Sequence, residues 1–581
     1  MANLEDIKEP IAQHSFGLPR RSLLKGLALA ASGGVASVLI PEPAAAKPAN
    51  TSYPRTAAPA GDSIAASDDQ PVVQTDSGKV RGYLRNGIVT FKGIPYGADT
   101  SGASRFMPPQ KPAPWKGVRS SMQYGYVSPQ PPRDAWAIDE VAWLFSWDDG
   151  VPNEDCLRLN VWSPGVNDNK KRPVMVWLHG GGYTAGSGNE LLSYDGENLA
   201  RRGDVVVVSL NHRLNVLGFL NLASFGDQYT DSGNVGMLDI IAALSWVREN
   251  IASFGGDPET VTIFGQSGGG GKVTALMAMP AAKGLFHRAI VQSGSILDGT
   301  TQESSTKLAY ALLKQLGLDA SSVDKLHGIP IDQLVRAGAA VAPIKIPASG
   351  VVDLRHIGSL LGWAPVVDTK ALPAHPFDPQ APAISASVPL LVGNTLNEMI
   401  TAMGNPAAPL MTASDLHARV KSVWGEKSAK IVAAAQALYP EATPFQLWSA
   451  IGTSPFRAGS LLQARRKAMQ GNAPVYCYLF TWQTPVLDGR PMAFHCSELA
   501  FVFYNTERCE NMTGGGTAAR TLAANMSEAW IRFARTGNPS HPALPEWVPF
   551  TASNNATMIF GDTCSLKNNL DDDLQSLIAE S

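Results

Sequence analysis

The chain of 581 residues reads as an α/β protein, with a mostly parallel central sheet and helices on both faces. Three observations predict this. Apolar runs of four to six residues, rich in Val, Ile and Leu, are bounded by Gly, Pro and Asn, as strands buried on both faces should be. Helix-like stretches alternate with them, which favours parallel pairing through crossover connections. Hydrophobic residues make up 44% of the chain and charged ones only 17%, below the ~25% of average soluble proteins, so a large core is available.

Taken in order, the chain opens with an address. Residues 1–21 are polar and end in Arg20-Arg21, and a modest apolar run follows from Gly26 to Ile40. That run is shorter than the ~20 residues a bilayer span needs, and Ala44-Ala45-Ala46 supplies small residues at a cleavage point. The pattern resembles a bacterial twin-arginine export signal over 1–46, which implies a periplasmic or secreted protein with no stable membrane insertion after processing. Residues 47–70 are rich in Ala, Pro, Ser, Thr and Asp and read as a flexible linker, having too little apolar surface to offset ordering.

From residue 71 to 581 the chain reads as one domain. Val174–Leu178, Val205–Leu210, Val261–Phe264, Ala289–Gln292 and Pro389–Gly393 are the buried strands, with a further candidate at Val475–Trp482. Met237–Ile251 repeats Leu238, Ile241, Ala242, Leu244 and Ile251 roughly on one helical face. The segments 300–385 and 400–470, with helices expected at Thr306–Leu318 and Ser428–Leu438, are long for connections and read as lobes over one end of the sheet. The net charge of −3 removes the electrostatic basis for nucleic-acid binding. Five cysteines with no Cys-x-x-Cys pair give neither a disulfide scaffold nor a zinc site.

Three segments carry chemistry. In Val261-Thr-Ile-Phe-Gly265-Gln266-Ser267-Gly268-Gly269 a strand runs into Gly-x-Ser-x-Gly and then a helix of small residues. A nucleophile on so sharp a turn needs small neighbours, and the turn aims the Gly268 N–H and the helix N-terminus at developing negative charge. In Val174-Met-Val-Trp-Leu178-His179-Gly180-Gly181-Gly182, glycines after a strand leave N–H groups free to donate, as an oxyanion hole requires. His179 is expected to order that loop rather than act as a base. A serine hydroxyl also needs an imidazole to take its proton and a carboxylate to hold the imidazole, in the order Ser, acid, His. Glu398 follows the strand Pro389–Gly393, and His495 lies in Phe494-His495-Cys496-Ser-Glu498. Asp368 is a rival acid, and His356, His375 and His541 are weaker bases.

These segments resemble the type-B carboxylesterase family, which includes the cholinesterases and bacterial p-nitrobenzyl esterases. Glu154-Asp155-Cys156-Leu157-Arg158-Leu159-Asn160-Val161-Trp162 matches a second family signature, and the similarity runs from about 72 to 562. The resemblance implies an α/β-hydrolase fold with large helical insertions over the active site. It also implies Ser267, Glu398 and His495 as the triad, and Gly181, Gly182 and Gly268 as oxyanion donors. The substrate is then a small carboxylic ester, and no metal or organic cofactor is implied. A related bond (carbamate, lactone or amide) and a non-catalytic binding protein are the alternatives, the latter disfavoured because all three triad positions are kept.

Two departures stand out. The family usually has Glu before the serine and Ala after it; here they are Gln266 and Gly268. Losing that carboxylate argues against a quaternary-ammonium substrate. The family's cysteine partner for Cys156 is replaced near Ser128, so Cys156 is expected to be free, while Cys496 and Cys509 are left open as thiols or a disulfide. Tyr183, Trp143, Trp147, Trp363, Phe377, Trp448 and Phe456 are candidate pocket walls, with the last four equally suited to lobe cores.

Overall fold

The structure, a computed structural model, describes residues 64–579 apart from 69, 132–137, 344–348, 354 and 356–360. The expected export segment, most of the expected linker and His356 lie outside the described residues. Among the described residues fourteen strands form, in chain order β1 Val72–Gln74, β2 Lys79–Arg81, β3 Tyr83–Arg85, β4 Ile88–Pro95, β5 Val118–Ser120, β6 Arg158–Ser163 and β7 Arg172–Leu178. There follow β8 Val206–Leu210, β9 Gly256–Gln266, β10 Arg288–Gln292, β11 Leu390–Thr395, β12 Val475–Phe480, β13 Thr557–Phe560 and β14 Ser565–Lys567. Strands β1, β2 and β5 make a small sheet. The other eleven make one large sheet, ordered β14-β13-β12-β11-β10-β9-β7-β8-β6-β4-β3. Its centre from β8 to β13 is parallel, and antiparallel pairs close both edges.

The side-chain alternation of the strands divides the core into two layers. Val174, Val176, Val206, Val208, Ile263, Val291 and Val392 face one cluster together with Met237, Ile240 and Val247 of the helix Val235–Asn250. Their neighbours Met175, Trp177, Val207, Phe264, Ile290 and Leu391 face the other, with Met526, Trp530 and Phe533 of the helix Thr517–Thr536. Successive residues point to opposite faces, so a strand buried on both sides is near-continuously apolar. That is the α/β-hydrolase arrangement, with helices on both faces of a largely parallel sheet.

Several elements differ in detail from the sequence reading. The strand expected at Val261–Phe264 runs from Gly256 to Gln266. The helix expected at Thr306–Leu318 spans Gln302–Gln315, because Thr301 caps it by accepting the Ser304 N–H at 3.2 Å. The helix Val235–Asn250 buries Met237, Ile240, Ala243 and Val247 along with Ile241 and Leu244, whereas Leu238 and Ala242 of the expected face are only half-buried. Residue 65 is already engaged before the expected end of the linker: Ala65 exchanges two main-chain hydrogen bonds of 2.8 Å with Leu84. Within 400–470 the helices Ala413–Trp424, Ser428–Leu438 and Pro444–Ala468 build a third apolar cluster, to which Leu574 and Ile578 of the C-terminal helix contribute.

Candidate active site

Strand β9 ends at Gln266, and the helix Gly268–Leu276 begins two residues later, so the turn is a single residue, Ser267. Ser267 holds φ 57° and ψ −127°, a region that costs a non-glycine residue ~1–3 kcal/mol unless its surroundings impose it. Two main-chain bonds do so: Ser267 N–H donates to Gln292 O on β10 at 2.8 Å, and Gly271 N–H donates to Ser267 O at 3.0 Å. At Gly268 a Cβ would lie 2.4 Å from Gly182 N, so the glycine loop after β7 crosses too close for any side chain there. The serine, the helix N-terminus and that loop are thereby brought together.

The loop His179–Gly182 leaves β7 with Gly181 at φ 89° and Gly182 at φ 57°, left-handed conformations natural to glycine. Among the described residues the N–H groups of Gly181, Gly182 and Gly268 donate to no protein acceptor, and all three residues line one cavity with Ser267. His179 is buried and its Nδ1 lies 2.9 Å from Gly180 O, so it orders the loop. Lys272, fully buried on the helix behind Ser267, donates its ammonium to His179 O at 2.8 Å. Burial pushes that ammonium down to about 7, with Glu190 opposing the shift.

Glu398 sits three residues past the end of β11, buried, with φ 37°. Its Oε1 accepts the Thr395 N–H at 2.9 Å, and its Oε2 contacts His495 Nδ1. The imidazole, one-sixth exposed (16%), faces the cavity. In the tautomer that donates from Nδ1 to Glu398, Nε2 is left as an acceptor, which is the form a proton-abstracting base must take. Burial pushes the imidazole down, but the Glu398 charge and hydrogen bond outweigh it and hold it above its ordinary 6.5. Ser267 Oγ and His495 do not hydrogen-bond in this resting geometry; such contacts often tighten only with substrate present.

Gln266 is fully buried, and its amide nitrogen is 3.1 Å from His495 Nε2 and 3.3 Å from Nδ1. Near-equal distances place the amide astride the ring rather than at the end of one lone pair. Its Oε1 accepts from the Cys496 thiol at 3.2 Å. Behind the histidine, Glu498 is fully buried and takes one hydrogen bond from Gln292 Nε2 at 3.1 Å. Burial, and then the nearby Glu398 charge, push Glu498 up to about 7.

The cavity that joins these groups has a volume of about 700 Å³. Its walls are largely apolar, built by Ile138, Val141, Phe145, Trp147, Ile296, Leu361, Met399 and Phe456. Of the expected walls, Trp147 and Phe456 are in place, Trp147 stacked on Phe145 at 4.5 Å and Phe456 edge-on to His495 at 6.1 Å. Trp143 faces outward at 46% exposure, and Tyr183 is buried behind the glycine loop against Phe219. Trp363, Phe377 and Trp448 are core residues, because the lobes must bury their own large apolar groups. Asp368 is exposed and outside the cavity. His375 accepts from Gly299 N–H, and His541 is paired to Asn525 O. All five cysteines are free thiols: Cys156 is buried, and Cys496 and Cys509 are unlinked.

Sequence reasoning passed over three buried polar groups around the site: Lys272, Glu190 and Glu498. A lysine four residues after Gly268, in a helix start otherwise made of glycines, was the one local signal; the other two depend on packing.

The family model described as the carboxylesterase family matches residues 69–575. Among characterised relatives, the para-nitrobenzyl esterase of Bacillus subtilis is 36% identical over 499 residues, covering 86% of this chain and 96% of the relative. The phenmedipham hydrolase of Pseudarthrobacter oxydans is 33% identical over 502 residues, covering 85% and 95%. Among solved structures, an esterase from Clostridium hathewayi, described as hydrolysing aliphatic aromatic polyesters, superposes with a TM-score of 0.76 at 35% identity. It covers 90% of this chain and 100% of its own. A Geobacillus stearothermophilus carboxylesterase gives 0.72 at 36%, covering 87% and 99%.

Proposed function

The chain belongs to the carboxylesterase family, and we propose that it hydrolyses neutral carboxylic esters through an acyl-enzyme formed on Ser267. One observation carries the residue assignments. A serine on a strained turn, an imidazole held by a carboxylate, and three N–H groups without protein acceptors among the described residues all belong to the lining of one apolar cavity.

In this reading Ser267 Oγ attacks the ester carbonyl carbon while its proton passes to His495 Nε2. The carbonyl oxygen becomes an oxyanion held by the N–H groups of Gly181, Gly182 and Gly268, and each such donor is worth ~3 kcal/mol in comparable sites. The imidazolium then gives its proton to the departing alkoxide, and the C–O bond breaks. Water repeats the sequence on the acyl-enzyme, releasing the acid and restoring Ser267. Glu398 stays ionised throughout, orienting the ring and stabilising its charged form.

The apolar walls favour uncharged substrates with sizeable hydrocarbon or aromatic parts. The names of the relatives, a para-nitrobenzyl esterase and an enzyme acting on aliphatic aromatic polyesters, agree with that class. The test is hydrolysis of p-nitrophenyl esters of increasing acyl length beside the matching p-nitroanilides and carbamates. Esters should dominate, and faster anilide turnover would reassign the bond. We also infer export by the folded route, supported by Arg20-Arg21, the short apolar run and Ala44-Ala45-Ala46. Changing Arg20-Arg21 to Lys-Lys should hold active, unprocessed protein in the cytoplasm; normal export of that form would refute the address.

A further inference from the structure

Lys272 is a fully buried lysine that the chemistry above does not use. It stands four residues after Gly268, hence on the same face of the helix Gly268–Leu276 as the residue following the nucleophile. Its ammonium donates to His179 O at 2.8 Å and reaches Gly180 O at 3.5 Å. Gly180 O also lies 2.9 Å from His179 Nδ1. The Tyr183 ring lies alongside, its centroid 5.9 Å from the ammonium. The titratable groups around it are Glu190, which acts on it electrostatically, and His212, which stacks on His179 at 5.1 Å and is held neutral by burial. Burying an ammonium is unfavourable, and here its hydrogen bonds go to the main chain of one loop.

A trans peptide points its C=O and N–H in opposite directions. When the carbonyl of Gly180 is drawn toward the ammonium and the His179 ring, the N–H of the same peptide, which belongs to Gly181, is turned to the other side. Gly181 lines the cavity with Ser267, and among the described residues its N–H donates to no protein acceptor. We propose that Lys272 is a positioning residue: its buried ammonium fixes the peptide planes of the His179–Gly182 loop so that the Gly181 N–H is preset toward the oxyanion. This rests on the esterase reading and deepens it, since the loop matters only if an oxyanion forms there.

The experiment uses the purified chain with a p-nitrophenyl ester, rates being normalised to sites labelled by a fluorophosphonate. Lys272→Met keeps the length of the side chain and removes its charge and donors. The expected result is a fall in kcat of about tenfold to a hundredfold, within the range of oxyanion-hole lesions, with KM changed less than about threefold. A trifluoromethyl ketone, whose hemiketal places an oxyanion in the same hole, should lose affinity by the same factor as kcat. Unchanged kcat per labelled site, or ketone affinity unchanged while kcat falls, would overturn the assignment. If Lys272→Met does not fold, Lys272→Gln, which keeps one donor without the charge, takes the same measurements, with the same expected and overturning results. Should the wild-type chain neither turn over the ester nor bind the ketone, the esterase reading itself falls. Should it do both and the variants match it, only the role of Lys272 falls.

Discussion

Glu398 and His495 are joined at two levels: the carboxylate contacts Nδ1 of the imidazole, and the His495 main-chain N–H donates to the Glu398 carbonyl at 2.9 Å. The second bond belongs to a parallel bridge that pairs Glu398 with Phe494. The loops after β11 and β12 are therefore locked to each other before the side chains meet, so the ring is aimed by backbone as well as by charge.

Glu398→Gln should accordingly keep the fold and the ring's placement while losing the charge that stabilises the imidazolium. A fall in kcat of roughly 10²- to 10⁴-fold is expected. Asp368→Asn, on an exposed loop away from the cavity, should leave turnover within about twofold. Steady-state kinetics of the two variants decide the matter, and reversed outcomes would move the acid to Asp368.

Ser267→Ala should remove turnover by roughly two to six orders of magnitude while leaving the melting temperature close to that of wild type. The turn is held by main-chain bonds that alanine keeps, so the substitution removes the hydroxyl and little else. Retained turnover in the pure, folded variant excludes the acyl-enzyme on this residue.

The acid limb of kcat/KM should report His495. The imidazole must be neutral to accept a proton, so activity is present above its pKa and lost below it. Because Glu398 holds that pKa above 6.5, the limb should fall at a higher pH than for an ordinary histidine. Glu398→Gln should move it to lower pH. Gln266→Glu, which places a carboxylate where an amide now lies 3.1 Å from Nε2, should move it to higher pH. Shifts of opposite sign would mean that another group controls the limb.

The same amide governs charge selection. With Gln266 in place of a carboxylate, a choline ester should gain no more than about tenfold in kcat/KM over its uncharged 3,3-dimethylbutyl isostere. Gln266→Glu should raise that ratio, since a unit charge ~4 Å away acts with about 4 kcal/mol of raw Coulomb energy at an effective dielectric of roughly 20. A high ratio in the wild type would show that another cavity group, Glu190 foremost, attracts cations.

Glu498 makes stability depend on pH in a particular direction. Its folded pKa of about 7 is above the ordinary 4.5, so the folded state binds the extra proton more readily than the unfolded one. The stability tied to that proton is fully present below about 4.5 and lost as pH rises through 7. Glu498→Gln cannot titrate, so its stability relative to wild type should improve by up to ~3 kcal/mol between about pH 4.5 and 8. Denaturant midpoints of both proteins at the two pH values measure this, and an advantage that shrinks with rising pH would contradict it.

What the sequence by itself determined is local. Strands buried on both faces are near-continuously apolar, so the Val, Ile and Leu runs of β7, β8, β10 and β11 were legible although each strand also holds a polar residue. The nucleophile turn was legible because a single-residue corner between strand and helix demands glycine at its flanks, and the glycines at 181 and 182 announce exposed N–H groups for the same reason. The order Ser267, Glu398, His495 followed from the architecture that a nucleophile turn implies, and the family resemblance added their roles. Tertiary structure decided everything that depends on which surfaces meet. Phe456 lines the cavity and Trp448 fills a lobe core, although both lie on the helix Pro444–Ala468, because burial depends on what packs against each side of it. Cys496 meets Gln266 rather than Cys509, Glu498 is sealed behind the histidine, and Lys272 is enclosed beneath the glycine loop. A charge's partners and its desolvation are set by residues far away in the chain, and no local pattern records them.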